Sequence, residues 1–576
     1  MADARGPTPR NTPEAKNFKD EPDAKLPEIL AYSVGSLTND LNGTFFFVMM
    51  PVLVIGFELN PLLVGFMLAL KTPLDGIVDP LIAWASDNMR GRWGRRKPFL
   101  LVGGITMPLI FLLTWFLLPE GPTLRSNDAP AVTEATGPDE ELEPPANADG
   151  DSLDEREVPT GDVPSDETSI EEVTEEQAPA EGEVDGEEKK LSFFENLSRS
   201  WHAMLESGPY SQTVFWTILI GMMFMTVAQS LYSTVYYALG IEICPSYDGR
   251  TRVVAWRAAV QKSGQLLKQW VQPFVFATIF ATALHGMRAW ALLITAISLP
   301  AMFWMLLKTR ERSVLVYQAT EHTTQKRMGL LKGCWMIVTN WRIMRLFIIR
   351  KIIGASNSIV GQLGIFLNIY FVFGGEVAEG STWGAWVGTF GWIIGFAMIP
   401  ITRWLCLKHE KHHIMAFSVW WLIGGAILKW FVFVPGEPQW QLLLPPFYAI
   451  GFTAFYMLLP TMSADLTDDD ELRTGERREA MIGAVLSLVD KIMDTFQQIL
   501  TGVIIALSGF VVARGADQDP GVFFNMRFLL SAFPAAGMLL AFVLLYKYPL
   551  TSTRIEQIKA ELAARRAAAA KSSSEP

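Results

Sequence analysis

Runs of roughly 20 or more mostly apolar residues recur along this chain, separated by short polar segments. As α-helices, each is long enough to cross about 30 Å of hydrocarbon. Six fall before residue 310, near 28–57, 61–86, 98–118, 210–240, 254–283 and 286–307. Six follow, near 343–373, 383–405, 413–434, 440–463, 480–510 and 522–546. The pattern predicts an all-α membrane protein of twelve transmembrane helices in two six-helix halves, 28–307 and 343–546. A polar central loop, 308–342, joins the halves, and segments 1–27 and 547–576 flank them. The last segment should hold a short polar or amphipathic helix over 553–570. Residues 1–27 show no short apolar core ahead of a small-residue cleavage site, so the first span is expected to serve as the membrane signal.

Positive charge orients the pattern. Arg90, Arg92, Arg95, Arg96 and Lys97 lie between spans 2 and 3, Arg250 and Arg252 between 4 and 5, and a basic run from Lys308 to Lys332 between 6 and 7. Arg403, Lys408, Lys411, Arg473, Arg477 and Arg478 fall on the same side, whereas the loops around 374–380 and 435–438 hold no Lys or Arg. The basic side is therefore expected to be cytoplasmic, with both termini on it. Composition changes this picture at one place only. The segment 121–190 has 23 acids against 4 bases, so the chain's net −11 hides a net +8 everywhere else. Rich in Glu, Asp, Pro and Ser, that segment reads as a disordered extracytoplasmic insertion. The three cysteines, Cys244, Cys334 and Cys406, fall at cytoplasmic helix ends or loops and imply no disulfide framework.

Charges inside the apolar runs carry the functional information, because an ionisable group in hydrocarbon costs several kcal/mol and persists as a paired element or as part of a pathway. In span 2, Asp75 and Asp79 stand one turn apart on one face, followed by Pro80. Two carboxylates so close should share a cation or a proton. In span 11, Lys491 lies between Asp490 and Asp494, a natural competitor for that cation. Span 1 contributes Asn39, Asp40 and Asn42, and span 5 a polar stripe of Arg257, Gln261, Lys262, Gln265, Lys268 and Gln269 that suits a wet cavity. The Arg257 fork fits hydroxyls or a carboxylate. Tyr236, Tyr237 and Tyr456 could stack on the apolar face of a sugar ring.

The loop Asp87 to Pro98 is the most specific short motif. Its glycines permit a tight turn, and its arginines can bridge to acids in one conformation and release them in another. A cytoplasmic charge network of Arg92, Arg95, Arg96, Glu242, Arg250, Asp465 and Arg478 is the corresponding expectation. His409, His412 and His413 share a loop without a Cys or acid cluster at ligand spacing, so no metal is expected beyond a possible Na⁺ at Asp75 and Asp79. No phosphate-cradling loop or nucleophile elbow occurs in a supporting context, which argues against an enzyme or an ATP-driven pump. No cofactor and no nucleic acid partner are expected.

The segments Asp75-Gly-Ile-Val-Asp79-Pro80 into Arg92-Trp-Gly-Arg-Arg-Lys-Pro98, and Ala464-Asp465 through Arg473-Thr-Gly-Glu-Arg-Arg-Glu479 to Lys491, resemble a known family. It is the glycoside-pentoside-hexuronide, or melibiose permease-like, cation symporter family of the major facilitator superfamily, and the likeness spans nearly all twelve helices. It implies a monomeric secondary transporter of the bacterial inner membrane. It further implies a Na⁺ or H⁺ site at Asp75 and Asp79 beside Lys491, and sugar contacts at Asp40, Arg257, Tyr237 and Tyr456. Ser233 stands where the family's best known member has a helix 4 acid shared between sugar and cation. Related lysolipid symporters share the fold and the helix 2 pattern, so an amphiphile is the alternative cargo to a sugar.

Overall fold

The structure, a computed structural model, describes residues 23–89, 93–120, 198, 201–202, 209–244, 247–311, 335–337, 339–474, 479–511, 514–546 and 552–574. Among them there are helices and no strands. The first half holds α1 (Leu26–Gly56), α2 (Pro61–Asn88), α3 (Lys97–Phe116), α4 (Pro209–Glu242), α5 (Tyr247–Gln269) and α6 (Ala283–Lys308). The second holds α7 (Trp341–Val372), α8 (Val377–Lys408), α9 (Lys411–Val432), α10 (Leu444–Thr474), α11 (Glu479–Leu507) and α12 (Pro520–Leu545). A further helix, α13 (Ser552–Ser574), follows the bundle.

The starts of these helices are written locally. Asn60 caps α2, its Oδ1 accepting from the Leu62 amide at 2.9 Å, with Pro61 as the first helical residue. Asn340 caps α7 by accepting from the Arg342 amide at 3.3 Å. Ten of the twelve bundle helices are long and apolar enough to span a membrane by composition alone. The other two, α5 and α11, carry charge along the stretch a span would need to be apolar: Arg257, Lys262 and Lys268 in one, Asp490, Lys491 and Asp494 in the other. The fifth span differs from its expected 254–283. The helix begins at Tyr247 and breaks at Trp270, and after the short helical turn Val271–Val275 the chain runs in turns to α6.

Neighbour relations repeat with the helix number raised by six. In the first half α1 packs on α5 and α6, α3 on α4 and α6, and α2 on α4. In the second, α7 packs on α11 and α12, α9 on α10 and α12, and α8 on α10. The halves meet along α2 with α11 and along α5 with α8, again a pair and its equivalent. Two repeated halves about a pseudo-two-fold axis give this pattern. At the end away from the basic loops the meeting is tight: a Cβ on Gly65 would lie 3.1 Å from the Gln498 carbonyl oxygen and from the Gly502 Cα. There the Trp270 indole donates to Thr389 Oγ1 at 3.2 Å and stacks edge-on against Trp386.

At the basic end each half is tied to itself. Glu242 accepts from Arg95 and, at 2.7 and 3.0 Å, from Arg96, with Asp87 3.2 Å from Arg96. Glu311, just past α6, accepts from the backbone amides of Arg95, Arg96 and Lys97 at 2.7, 2.9 and 2.7 Å. A carboxylate on the first amides of α3 suits that helix N-terminus. Gly94 enters the turn at φ 96°, where a Cβ would collide with the Glu311 carboxylate. In the second half Lys411 donates to Asp465 at 2.8 Å, and Arg342 and Arg473 both reach Asp469 at 3.0 Å. Lys559 of α13 lies 3.6 Å from Asp465, and Ile558 and Leu562 of that helix are buried against the bundle. Each of these ion pairs stays within its own half.

Candidate functional site

Asp75, Asp79, Asp40, Arg257 and Lys491 lie 9 to 14 residues from the basic ends of their helices, or ~14–21 Å at 1.5 Å per residue. That is mid-depth in a bilayer of about 30 Å. Asp79 accepts from Lys491 at 2.5 Å and from the Thr234 hydroxyl at 3.1 Å. Asp75 accepts from the Ser230 hydroxyl at 3.0 Å and lies 3.5 Å from the Lys71 ammonium. Ser230 and Thr234 stand one turn apart on α4, matching the i, i+4 spacing of the two aspartates on α2. A zipper of two carboxylates and two hydroxyls results, closed from the second half by Lys491. Pro80 leaves the Gly76 carbonyl without its helical N–H partner beside this zipper.

Lys491 does not bond to its sequence neighbours. Asp490 is taken by Arg350 and, at 2.6 Å, by Lys351, which also reaches Asp494 at 2.9 Å. The α11 acids are therefore paired within the second half, and the lysine is left to cross to the first. A cavity of about 520 Å³ opens next to this crossing, with Lys71, Asp75, Gln362, Lys491, Asp494 and Gln498 among its walls.

On the first-half side of the interior, Arg257 lies with its guanidinium 5.0 Å over the Tyr237 ring, and both Arg257 and Lys268 set positive charge against Asp40. Asp40 Oδ2 and Arg257 Nε are buried with no hydrogen-bond partner among the described residues. Unpaired buried polar atoms are costly, and these two lie at mid-depth. Tyr456 stands in the other half on α10, its hydroxyl against Gly354 of α7. No described contact joins it to Asp40, Arg257 or Tyr237.

Several expected residues lie elsewhere or beyond view. Arg92 and Arg478 lie outside the described residues, as does the side chain of Arg250. Arg95, Arg96 and Glu242 come together as one network, while Asp465 belongs to a second one in the other half. The histidine loop does acquire an acid: Glu410, His412 and His413 present ligand atoms within 4.8 Å of one another. Lys71, Ser230, Thr234, Arg350, Lys351 and Glu311 were not singled out from sequence. Lys71 carried a usable signal, since it stands four residues before Asp75 on the same helical face.

Comparison with known proteins decides the family. The chain matches the family described as MFS/sugar transport protein over residues 32–130 and 200–552, well over half its length. This chain belongs to that family. Such membership makes it a multi-pass membrane transporter of the major facilitator superfamily and not an enzyme. Among curated relatives it is 27% identical to an uncharacterised symporter of Synechocystis sp. over 179 residues, covering 30% of this chain and 32% of the relative. It is 28% identical to a glucuronide carrier protein homologue of Escherichia coli strain K12 over 114 residues, covering 20% of this chain and 24% of the relative. The matches thus span a third or less of those relatives' lengths. The solved nucleoside transporter NupG has the same fold at 12% identity and a TM-score of 0.50, covering 91% of this chain and all of that one. A point mutant of NupG gives 13% identity and a TM-score of 0.52, covering 90% of this chain.

Proposed function

We propose that this transporter is a cation-coupled symporter of a sugar or glycoside, working by alternating access. The observation that carries the reading is the junction at mid-depth, where the Asp75 and Asp79 zipper is bridged to the opposite half by Lys491 beside a polar cavity. A cation or proton arriving at the two aspartates competes with that bridge, so occupancy of the site is felt by both halves at once. Cargo would bind through Asp40, Arg257 and Tyr237, where unsatisfied polar atoms and an aromatic face lie together. Tyr456 would meet the cargo from the second half. The basic end faces the cytoplasm of the bacterial inner membrane in this reading. In this reading the close approach of Gly65 and Gly502 closes the opposite end.

The test is uptake into proteoliposomes of labelled mono- and disaccharides, glucuronides and a lysolipid under an imposed Na⁺ or H⁺ gradient. Asp79→Asn is run alongside. Sugar accumulation that follows one gradient and disappears in the variant is expected. Uphill uptake unchanged in Asp79→Asn would remove the aspartate pair from the coupling step, and movement of the lysolipid alone would replace the sugar.

A further inference from the structure

In the described zipper each aspartate has a hydroxyl and an ammonium of its own: Ser230 and Lys71 for Asp75, Thr234 and Lys491 for Asp79. The two negative charges are therefore already matched by two positive ones. Lys71 belongs to the same helix as Asp75, one turn away, so its ammonium is tethered there at high local concentration. It lies 4.4 Å over the Phe46 ring, which steadies it in the cavity wall. Lys268 on α5 is close enough to repel it.

A hard cation needs several oxygen ligands in one cage. The oxygens on hand are the Asp75 and Asp79 carboxylates and the Ser230 and Thr234 hydroxyls, and Lys71 stands on one side of that set. We propose that Lys71 is a built-in competitor for the coupling cation, a specificity-determining residue that occupies the cation's place at Asp75 and sets how weakly Na⁺ binds. The inference rests on the reading of Asp75 and Asp79 as the coupling site. Lys491 alone would leave one aspartate free for an alkali ion; Lys71 removes that vacancy. Na⁺ entry at Asp75 then requires the ammonium to swing off that carboxylate, so Na⁺ and the Lys71 ammonium exclude one another.

The test is direct Na⁺ binding, by isothermal titration of NaCl against a choline chloride control, to the full chain in lipid nanodiscs. Wild type, Lys71→Met, Lys71→Gln and Lys71→Met/Asp75→Asn are compared, each checked for fold by its melting temperature. Both single variants should bind Na⁺ at least about tenfold more tightly than wild type, within the range usual for linked sites. The double variant should lose that gain. Equal Na⁺ affinity in wild type and both single variants would overturn the proposal, as would a gain that survives Asp75→Asn. So would absence of Na⁺ binding in every variant; if Asp79→Asn nevertheless abolishes accumulation, the coupling site stands and only the role of Lys71 falls.

Discussion

Removing the Glu242 carboxylate should loosen the basic end of the first half by an amount the structure sets. The Glu242 and Arg96 side chains are each 9% exposed and that of Arg95 is 16%, so the pairs between them are largely dry. Breaking a buried pair by deleting one partner costs about 3–5 kcal/mol, since the other charge is left without a partner. Asp87 lies 3.2 Å from Arg96 and 3.7 Å from Arg95, but at 57% exposure it returns only ~1 kcal/mol. Glu242→Ala should therefore cost about 2–4 kcal/mol, and Glu242→Gln, which keeps an acceptor and loses the charge, roughly half of that. Thermal unfolding of the detergent-solubilised protein, followed by tryptophan fluorescence, reads the loss as a lowered midpoint. Because Glu242 and Arg96 act together, Glu242→Ala/Arg96→Ala should be milder than the sum of the single changes. Additive losses, or a Glu242→Ala protein that melts with the wild type, would refute the network.

Two further outcomes follow from the packing. Gly65→Val puts a side chain 3.1 Å from α11 backbone at the closed end, an overpacking of about 1–3 kcal/mol. It should favour opening of that end by ~5- to 150-fold, read as increased thiol labelling of cysteines introduced there from that side; unchanged labelling would contradict the closed assignment. Truncation of α13 uncovers Ile558 and Leu562 and removes the Lys559 partner of Asp465. About 1.5–3 kcal/mol per apolar side chain should be lost, visible as a lower melting midpoint, and a truncated chain of unchanged midpoint would show that the helix contributes nothing.

Most of the fold was legible because length and hydropathy suffice for ten of the twelve helices when each crosses the same thickness. The α2 pair, Lys491, Arg257 and Asp40 were legible because a charge within an apolar run stands out. What remained hidden depends on partners from distant helices. Ser230 and Thr234 are ordinary in a membrane helix until α2 is laid against α4. Glu311 sits in a basic stretch where one acid draws no notice, yet it receives three amides from the start of α3. Arg350 and Lys351 interrupt an apolar run and so carried a signal, but their pairing with Asp490 and Asp494 depends on α7 lying against α11. Reading Lys491 beside those two acids along the sequence suggested neighbours that helix geometry instead assigns to α7.

The charge on α11 also bears on how the protein is assembled. Asp490, Lys491 and Asp494 near the middle of a helix would cost roughly 7–10 kcal/mol if that helix entered lipid alone. Its two acids find Arg350 and Lys351 on α7, made earlier in the same half, so α11 can settle against its own bundle during synthesis. Lys491 has no such local partner; its carboxylate waits on α2. Docking of the finished second half on the first is thus the step that pairs Lys491, and a chain carrying Asp79→Ala would be left holding that charge unmatched.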